Sequence, residues 1–441
     1  MKKLAIYIGI TAAVLSAGSC KLDYGNPNGP TEDQIITSRE GMFTLAVGLK
    51  QFYSQGCMQN LINGPGVTTR ELKGVSTFTN VPELEAGGTS LPTFNANILN
   101  LWTAMLRAMG MADNLITHSK QVVADDLPTQ TGLVAFGSLF KAMTISGLAT
   151  AYEQFPTTTS VSGNMPFVTR TVALEQAITL LDDAATALAA NPPSAEFNSR
   201  VLGSNFILLD CINAYRARIN MMLGRYPQSL AAANLVNLAT KSTFDYNVNS
   251  QNPIYTQIIL SANFKPRANF GLPAGLYEAN DGRLAFYLAT PDVVVGGETL
   301  KTVKGFFDAL DKSIPVYMPD EVRLLKAEAI IRSGGDLNTA KTHIDAVRTQ
   351  TSGDPFNVYP GLPAYTGPLT PDALLTEVYK QRSAELFMQG LRLEDSRRFG
   401  RPQPPTNVNP VPVTFERNRN FYPYPDQERL NNTNTPADPA I

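Results

Sequence analysis

The apolar spacing on either side of Gly334-Gly335 constrains this chain more than any other feature of its sequence. Upstream, Val322, Leu325 and Ala329 fall on one helical face, flanked by Leu324, Ala327 and Ile331. Gly334-Gly335 stops that helix, because glycine alone takes a left-handed residue without strain. Asp336 then caps a second helix, whose Leu337, Ala340, Ile344 and Val347 again share a face. Two helices joined by so tight a turn make a helical hairpin. A third start signal follows, with Thr370 as cap, Pro371 in the first turn and Asp372 beside the positive end of the dipole. Its stripe is Leu375, Val378, Tyr379 and Leu386, and Gly390 is read as its end.

The same period recurs through most of the chain. Met42, Leu45, Leu49, Phe52 and Tyr53 predict a first helix, and Ile98, Leu101, Trp102, Met105, Met109, Ala112, Leu115 and Ile116 a long one. An antiparallel partner is expected over 131–153, with Leu133, Phe136, Phe140 and Met143 inward, then a helix over 172–190. Another hairpin spans about 202–240 and turns at Gly224. Leu230 follows Gly224 at the spacing with which Ala340 follows Gly334, which fits degenerate tetratricopeptide-type units. The fold class predicted is mainly α, with a helical scaffold over about 38–241 and 319–400. Two stretches break the period, 61–97 and 242–315, and short strands are expected near 254–260 and 293–295. A proline-rich, largely extended tail closes the chain over 402–441. Long segments without periodicity inside a globular chain are usually functional.

Composition removes several function classes. A net charge of −2 gives no electrostatic case for nucleic acid. The 2 histidines, His118 and His343, lack a metal-ligand partner at i+4, and no cysteine pair has zinc spacing, so no metal site is expected. Neither a nucleophile elbow, a phosphate loop nor a dinucleotide fingerprint is present, so no cofactor is expected either. Asp125-Asp126 and Asp182-Asp183 are adjacent helix residues pointing about 100° apart, which reads as solvated faces rather than an acid–base pair. A binding protein is therefore expected rather than an enzyme.

The start of the chain speaks to compartment. Lys2 and Lys3 precede an apolar run over 4–18 that is shorter than the roughly 20 residues needed to span a bilayer. Ala17-Gly18-Ser19-Cys20 then resembles a lipoprotein cleavage box, with 1–19 as signal peptide and Cys20 as the lipidated residue. Cys57 and Cys211 are chemically able to pair in an oxidising compartment, but Cys211 lies in an apolar helical stripe, which favours a buried thiol.

The run Arg382, Glu385-Leu386, Gly390, Arg392, Asp395 and Arg397-Arg398 resembles the C-terminal signature of the SusD/RagB family. Gln381 and Gln389 stand where that family often has glutamate, as in a divergent member. Trp102, Asn114 and Ile116 resemble the family's tryptophan-bearing helix. Tyr152 to Pro156 resembles its tyrosine–proline loop without the expected glycine, and Phe421-Tyr422-Pro423-Tyr424-Pro425 its closing motif. The resemblance implies a single SusD-like domain over 20–441 that binds a nutrient, a glycan before a peptide. It further implies a lipid anchor at the outer membrane, exposure at the cell surface, and delivery to a SusC-like TonB-dependent transporter. A structural lid without its own ligand, or an envelope assembly adaptor, are the alternatives.

Two sets of candidate ligand contacts follow from where periodicity fails, because aromatic faces stack on sugar rings while amides and charged groups bond hydroxyls. Arg70, Phe78, Phe94 and Asn95 come from the 61–97 stretch, which the resemblance also implicates; Phe270, Tyr277, Asp281 and Arg283 come from 264–290. Glu385, Arg392, Asp395 and Arg397 are read instead as ion pairs holding helix to scaffold, and Trp102 as core.

Overall fold

Helices form the frame in the order that the stripes predict. The computed structural model describes residues 36–160 and 163–441; Cys20 and the apolar run before it lie outside the described residues. Helix α1 (Arg39–Phe52) continues through a wide turn at Tyr53–Cys57 into α2 (Met58–Thr68). Strand β1 (Leu72–Gly74) and short helix α3 (Asn80–Ala86) lead to the long α4 (Ala96–Val122) and α5 (Leu127–Ala151). Strands β2 (Gln154–Phe155) and β3 (Val168–Thr169) precede α6 (Arg170–Ala190), α7 (Leu208–Met222) and α8 (Tyr226–Ala233). After β4 (Thr243–Phe244) and β5 (Phe264–Pro266) come α9 (Gly282–Tyr287), the hairpin β6 (Leu288–Val295) and β7 (Glu298–Val303), and β8 (Ile314–Pro315). Helices α10 (Pro319–Arg332), α11 (Leu337–Arg348), α12 (Pro371–Glu385), α13 (Arg392–Arg398) and α14 (Asp426–Asn431) complete the chain.

Contacts run as a ladder: α1 on α4, α4 on α5, α5 on α6, α6 on α7, α7 on α8, α8 on α10, and α10 on α11 and α12. Helix α5 lies inside it and is apolar all round, as expected of a helix covered on every side. Leu133, Phe136, Phe140 and Met143 are all buried, as are Val322, Leu325 and Ala329 of the α10–α11 hairpin. Gly334 takes φ +70°, and the Gly335 N–H donates to the Ile330 carbonyl at 2.9 Å, closing α10 as its sequence requires. The Asp336 carboxylate accepts from the Asn338 and Thr339 N–H groups at 3.2 and 3.0 Å. The strands pair antiparallel in short ladders, β1 with β5, β2 with β3, β4 with β8 and β6 with β7.

The structure corrects three sequence readings. The 61–97 stretch is not irregular throughout, because α2 runs on to Thr68 across Gly64, Pro65 and Gly66. Those glycines make room rather than break the helix: a Cβ on Gly66 would lie 3.2 Å from Leu72 Cδ1. Residues 254–260 are helical, not a strand, since the Asn252 side chain accepts from the N–H groups of Ile254 and Tyr255 and starts a helical turn. The third predicted helix ends at Glu385 instead of Gly390. Gly390, at φ +74°, serves a close approach: Pro65 lacks the N–H that would bond the Leu61 carbonyl, and a Cβ on Gly390 would sit 2.8 Å from that oxygen.

The C-terminal tail is largely without regular structure, as its sequence predicts, apart from α14, and it threads back through the core. Asn418 N–H donates to Thr68 O at 2.9 Å and Tyr422 N–H to Ala151 O at 2.8 Å. Trp102 Nε1–H reaches Glu428 Oε2 at 3.0 Å, while Trp102, Tyr152, Phe167 and Tyr424 pack ring against ring. Trp102 is buried, as its stripe position predicts.

Candidate functional site

Where α2, α3, the start of α4 and the end of the 253–263 turn converge, asparagine and glutamine line a cleft of about 160 Å³. Helix α2 contributes Gln59, Asn60 and Asn63, and α4 contributes Asn97 and Asn100, each set on one helical face. Asn80 opens α3, Gln257 and Asn263 approach from the turn, and Phe264 of β5 lies at the back. Phe78 stands on the lip, 69% exposed. No charged side chain is among these lining residues.

Internal hydrogen bonds fix part of this set. Asn60 Nδ2 donates to Gly56 O at 2.8 Å, Asn97 Nδ2 to Asn80 O at 2.8 Å, and Asn263 Nδ2 to Gln257 Oε1 at 3.0 Å. Asn63 differs from these: its side chain is buried, and its Oδ1 has no hydrogen-bond partner among the described residues. Buried polar atoms are nearly always paired, so this orphan is an exception in the wall behind the cleft. A second, larger concavity of about 910 Å³ runs along α4 and is the more apolar, with Leu45, Leu99, Leu106 and Met111 in its wall.

The predicted contacts separate sharply by burial. Phe78 and Phe94 are exposed, Phe78 on the cleft and Phe94 in the turn before α4, outside the cleft lining. Tyr277 is half-buried against the core. The remaining candidates are corrected by the structure, because each is buried and engaged elsewhere. Arg70 is 2% exposed, and its guanidinium donates to Val411 O at 2.9 Å and Glu85 O at 3.1 Å, clamping the tail. Asn95 caps α4 by accepting from Asn97 N–H at 2.9 Å, and its Nδ2 donates to Asn80 O and Glu83 Oε2. It therefore positions the cleft without facing it. Phe270 packs edge-on against Phe387. Asp281 caps α9 and pairs with Arg283 at 2.7 Å, and Arg283 also meets Glu385 at 3.2 Å, all three buried. The asparagines 60, 63, 97 and 100 were missed. Their signal was present, since asparagine is a poor helix former and here repeats at i, i+3 on two helices.

The C-terminal charged run is an ion-pair lattice inside the protein. Arg382 grips Asp395 through two bonds of 2.9 and 3.0 Å, Arg398 bonds Glu328 at 2.8 and 2.9 Å, and Arg397 bonds Glu394 at 2.8 Å. Arg392 donates to Ser383 O at 2.7 Å and Phe270 O at 3.1 Å and lies 3.4 Å from Glu71. Burial disfavours the Asp395 charge, but Arg382 and Arg398 outweigh it and hold that carboxyl below its usual range. Glu385 goes the other way: burial and the neighbouring Asp320 push it well up against the pull of Arg283, and burial lifts Asp320 to about 6. Cys57 and Cys211 are free buried thiols, their ionisation suppressed by burial.

No family model matches the chain, and no curated protein does. Among solved structures, a SusD superfamily protein from Bacteroides thetaiotaomicron superposes with a TM-score of 0.69 at 13% identity, covering 91% of this chain and 100% of that one. A SusD superfamily protein from Bacteroides fragilis gives 0.68 at 15% identity, covering 91% and 99%. A SusD-like carbohydrate binding protein from Bacteroides fragilis gives 0.66 at 14% identity, again covering 91% and 99%. Likeness over nearly the whole of both chains answers the question of architecture. The chain has the fold of the SusD superfamily.

Proposed function

We propose that this chain is a SusD/RagB-type surface lipoprotein that captures a glycan in the amide-lined cleft beside Phe78. It then passes that glycan to a SusC-like TonB-dependent outer-membrane transporter. The observation that carries the reading is the convergence of uncharged amides from α2 and α4 beneath an exposed aromatic ring, on a fold shared with a carbohydrate binding protein. An aromatic face offers a stacking platform for the apolar side of a sugar ring, and amides match hydroxyls in both directions. The likeness to solved structures supports the fold half of the reading; the cleft supports the ligand half. Cys20 is the proposed lipid anchor, and a multiply acylated cysteine is what stable anchoring requires.

Ligand-dependent thermal stabilisation against a panel of oligosaccharides and peptides tests the capture step. Stabilisation by an oligosaccharide that Phe78→Ala removes is expected. Stabilisation by peptides alone would sink the glycan assignment. Labelling with a fatty-acid analogue should mark the wild type and spare Cys20→Ala, and equal labelling of both would end the lipoprotein reading. Failure to co-purify with any outer-membrane barrel after gentle solubilisation would remove the transporter from it.

A further inference from the structure

We infer that Asn95 is a positioning residue for the cleft: its side chain latches the segment that carries Phe78 and so sets where that ring stands over the amides. The inference rests on the reading of the cleft as a capture site and adds the residue that holds its platform. Phe78 lies between β1 and α3, and the 75–80 segment is held at both of its ends. At the near end the N–H groups of Val75 and Ser76 donate to the Asn263 carbonyl at 2.9 and 3.3 Å. At the far end the Asn80 carbonyl accepts from Asn95 Nδ2 at 2.9 Å and from Asn97 Nδ2 at 2.8 Å. Between them the Val81 N–H donates to Phe78 O at 2.8 Å, and the Phe78 N–H reaches Ser76 Oγ at 3.3 Å. An exposed ring on a segment fixed at both ends meets a ligand without first having to be ordered, which favours binding.

Asn95 governs the far end because its amide is fully used. Its Oδ1 accepts from the Asn97 N–H at 2.9 Å and from Asn97 Nδ2 at 3.2 Å, and its Nδ2 gives a second hydrogen to Glu83 Oε2 at 2.8 Å. A backbone N–H can only donate and a backbone carbonyl can only accept, so this amide has one orientation. Asn97, the other donor to Asn80, is itself oriented by Asn95 Oδ1. Asn95 is buried and does not line the cleft, so its influence runs through what it holds. The two halves of the side chain have separate roles. The oxygen caps α4, which serine or aspartate does about as well. The NH2 group ties α3 to α4 through Asn80 and Glu83, and neither replacement supplies that tie. Serine is too short to reach across, and an ionised aspartate has no hydrogen to donate.

Hydrogen–deuterium exchange on the full-length chain in detergent tests the latch without a ligand. Asn95→Ser should speed exchange across residues 75–83 by about tenfold, the loss of roughly one net hydrogen bond, with exchange in α4 and the melting temperature retained. Asn95→Asp should do so more strongly, because its carboxylate would face Glu83. Adding Glu83→Gln to it should restore part of the protection, since the new amide can donate to the new carboxylate. Affinity for an oligosaccharide that binds the wild type should fall about tenfold in Asn95→Ser as well. Unchanged exchange over 75–83 in that variant would overturn the inference. Equal loss of protection over 75–83 and the first turns of α4 would also overturn it, because that is a failing cap and not a released latch. So would faster exchange with unchanged affinity, since the position of Phe78 would then not matter to the cleft. A wild-type chain that binds no oligosaccharide would remove the capture reading, while exchange over 75–83 would still decide the latch.

Discussion

The α12–α13 region and the amide cleft use polar side chains in opposite ways. In the first, charges are buried and spent: Arg382 on Asp395, Arg398 on Glu328, Arg397 on Glu394. In the second there is no lining charge, and Asn60 and Asn97 are held to backbone carbonyls by their NH2 ends. The difference follows from desolvation. A charge removed from water must be neutralised by a partner, after which it has nothing left for a ligand. An amide can be held by its NH2 group and still present its oxygen at an opening, at far smaller cost. Charge therefore builds this molecule, and neutral polarity equips its surface.

The largest effect that would break this comparison lies in the lattice. Arg382→Ala leaves Asp395 buried without its two-bond partner and should destabilise by about 3–5 kcal/mol. A chemical denaturation midpoint equal to wild type would show that the pair does not hold α12 to α13. Leu325→Asp belongs with it, since Leu325 is buried in the α10–α11 hairpin and the new carboxylate would have no partner. Its melting temperature should fall severely.

The next effect, on the cleft side, is smaller and of a different kind. Phe78→Ala should weaken oligosaccharide binding roughly tenfold with the melting temperature unchanged, because an exposed ring supports nothing beneath it. Phe94→Ala and Tyr277→Ala should matter less, since neither lines the cleft. Arg392→Ala should cost stability and leave the affinity of the folded fraction alone. Normal binding by all three aromatic variants beside a well-folded, non-binding Arg392→Ala would place the ligand on the other side of the comparison.

The sequence made the frame legible because helical stripes report burial directly. Val322, Leu325 and Ala329, or Leu133, Phe136 and Phe140, are spaced by the same period that packs them. Helix α2 was illegible because Gly64, Pro65 and Gly66 punctuate local structure in isolation, whereas here they serve the approach of Leu72 and of the Gly390 turn, contacts far along the chain. The site was half legible for a related reason. Composition singled out a stretch whose Phe78 is exposed beside the cleft, but it also offered Arg70, Asp281 and Arg283, which are buried. Each has its partner brought to it by folding, and no local rule reveals the Val411 carbonyl beside Arg70 or Glu385 beside Arg283.

The smallest expected effect is a pH dependence that sets parts of the lattice against one another. Asp395, Glu394 and Glu328 are buried but held below the usual carboxylate range by their arginines. Their stabilisation is complete above the unfolded carboxylate range near pH 4 and is lost only as pH falls through their lower folded values. Asp320 and Glu385 are displaced upward, Asp320 to about 6, by burial and by acidic neighbours that include Asp354, against the pull of Arg323 and Arg283. Each also carries one oxygen without a hydrogen-bond partner among the described residues, Asp320 Oδ2 and Glu385 Oε1. For these groups the folded chain takes up a proton that the unfolded chain does not, so stability rises as pH falls from neutrality toward the unfolded carboxylate range. Between about pH 7.5 and about pH 5.5 the gain from Asp320 should be of order 1 kcal/mol, before any loss from the depressed group begins. Urea midpoints measured across that interval should therefore climb toward acid, and Asp320→Asn should flatten the climb without touching the Arg382–Asp395 pair. A midpoint that stays level from neutrality to pH 5.5 would mean that every carboxylate in the lattice stays ionised, and that the lattice is as uniform in its charge as the cleft is in its lack of it.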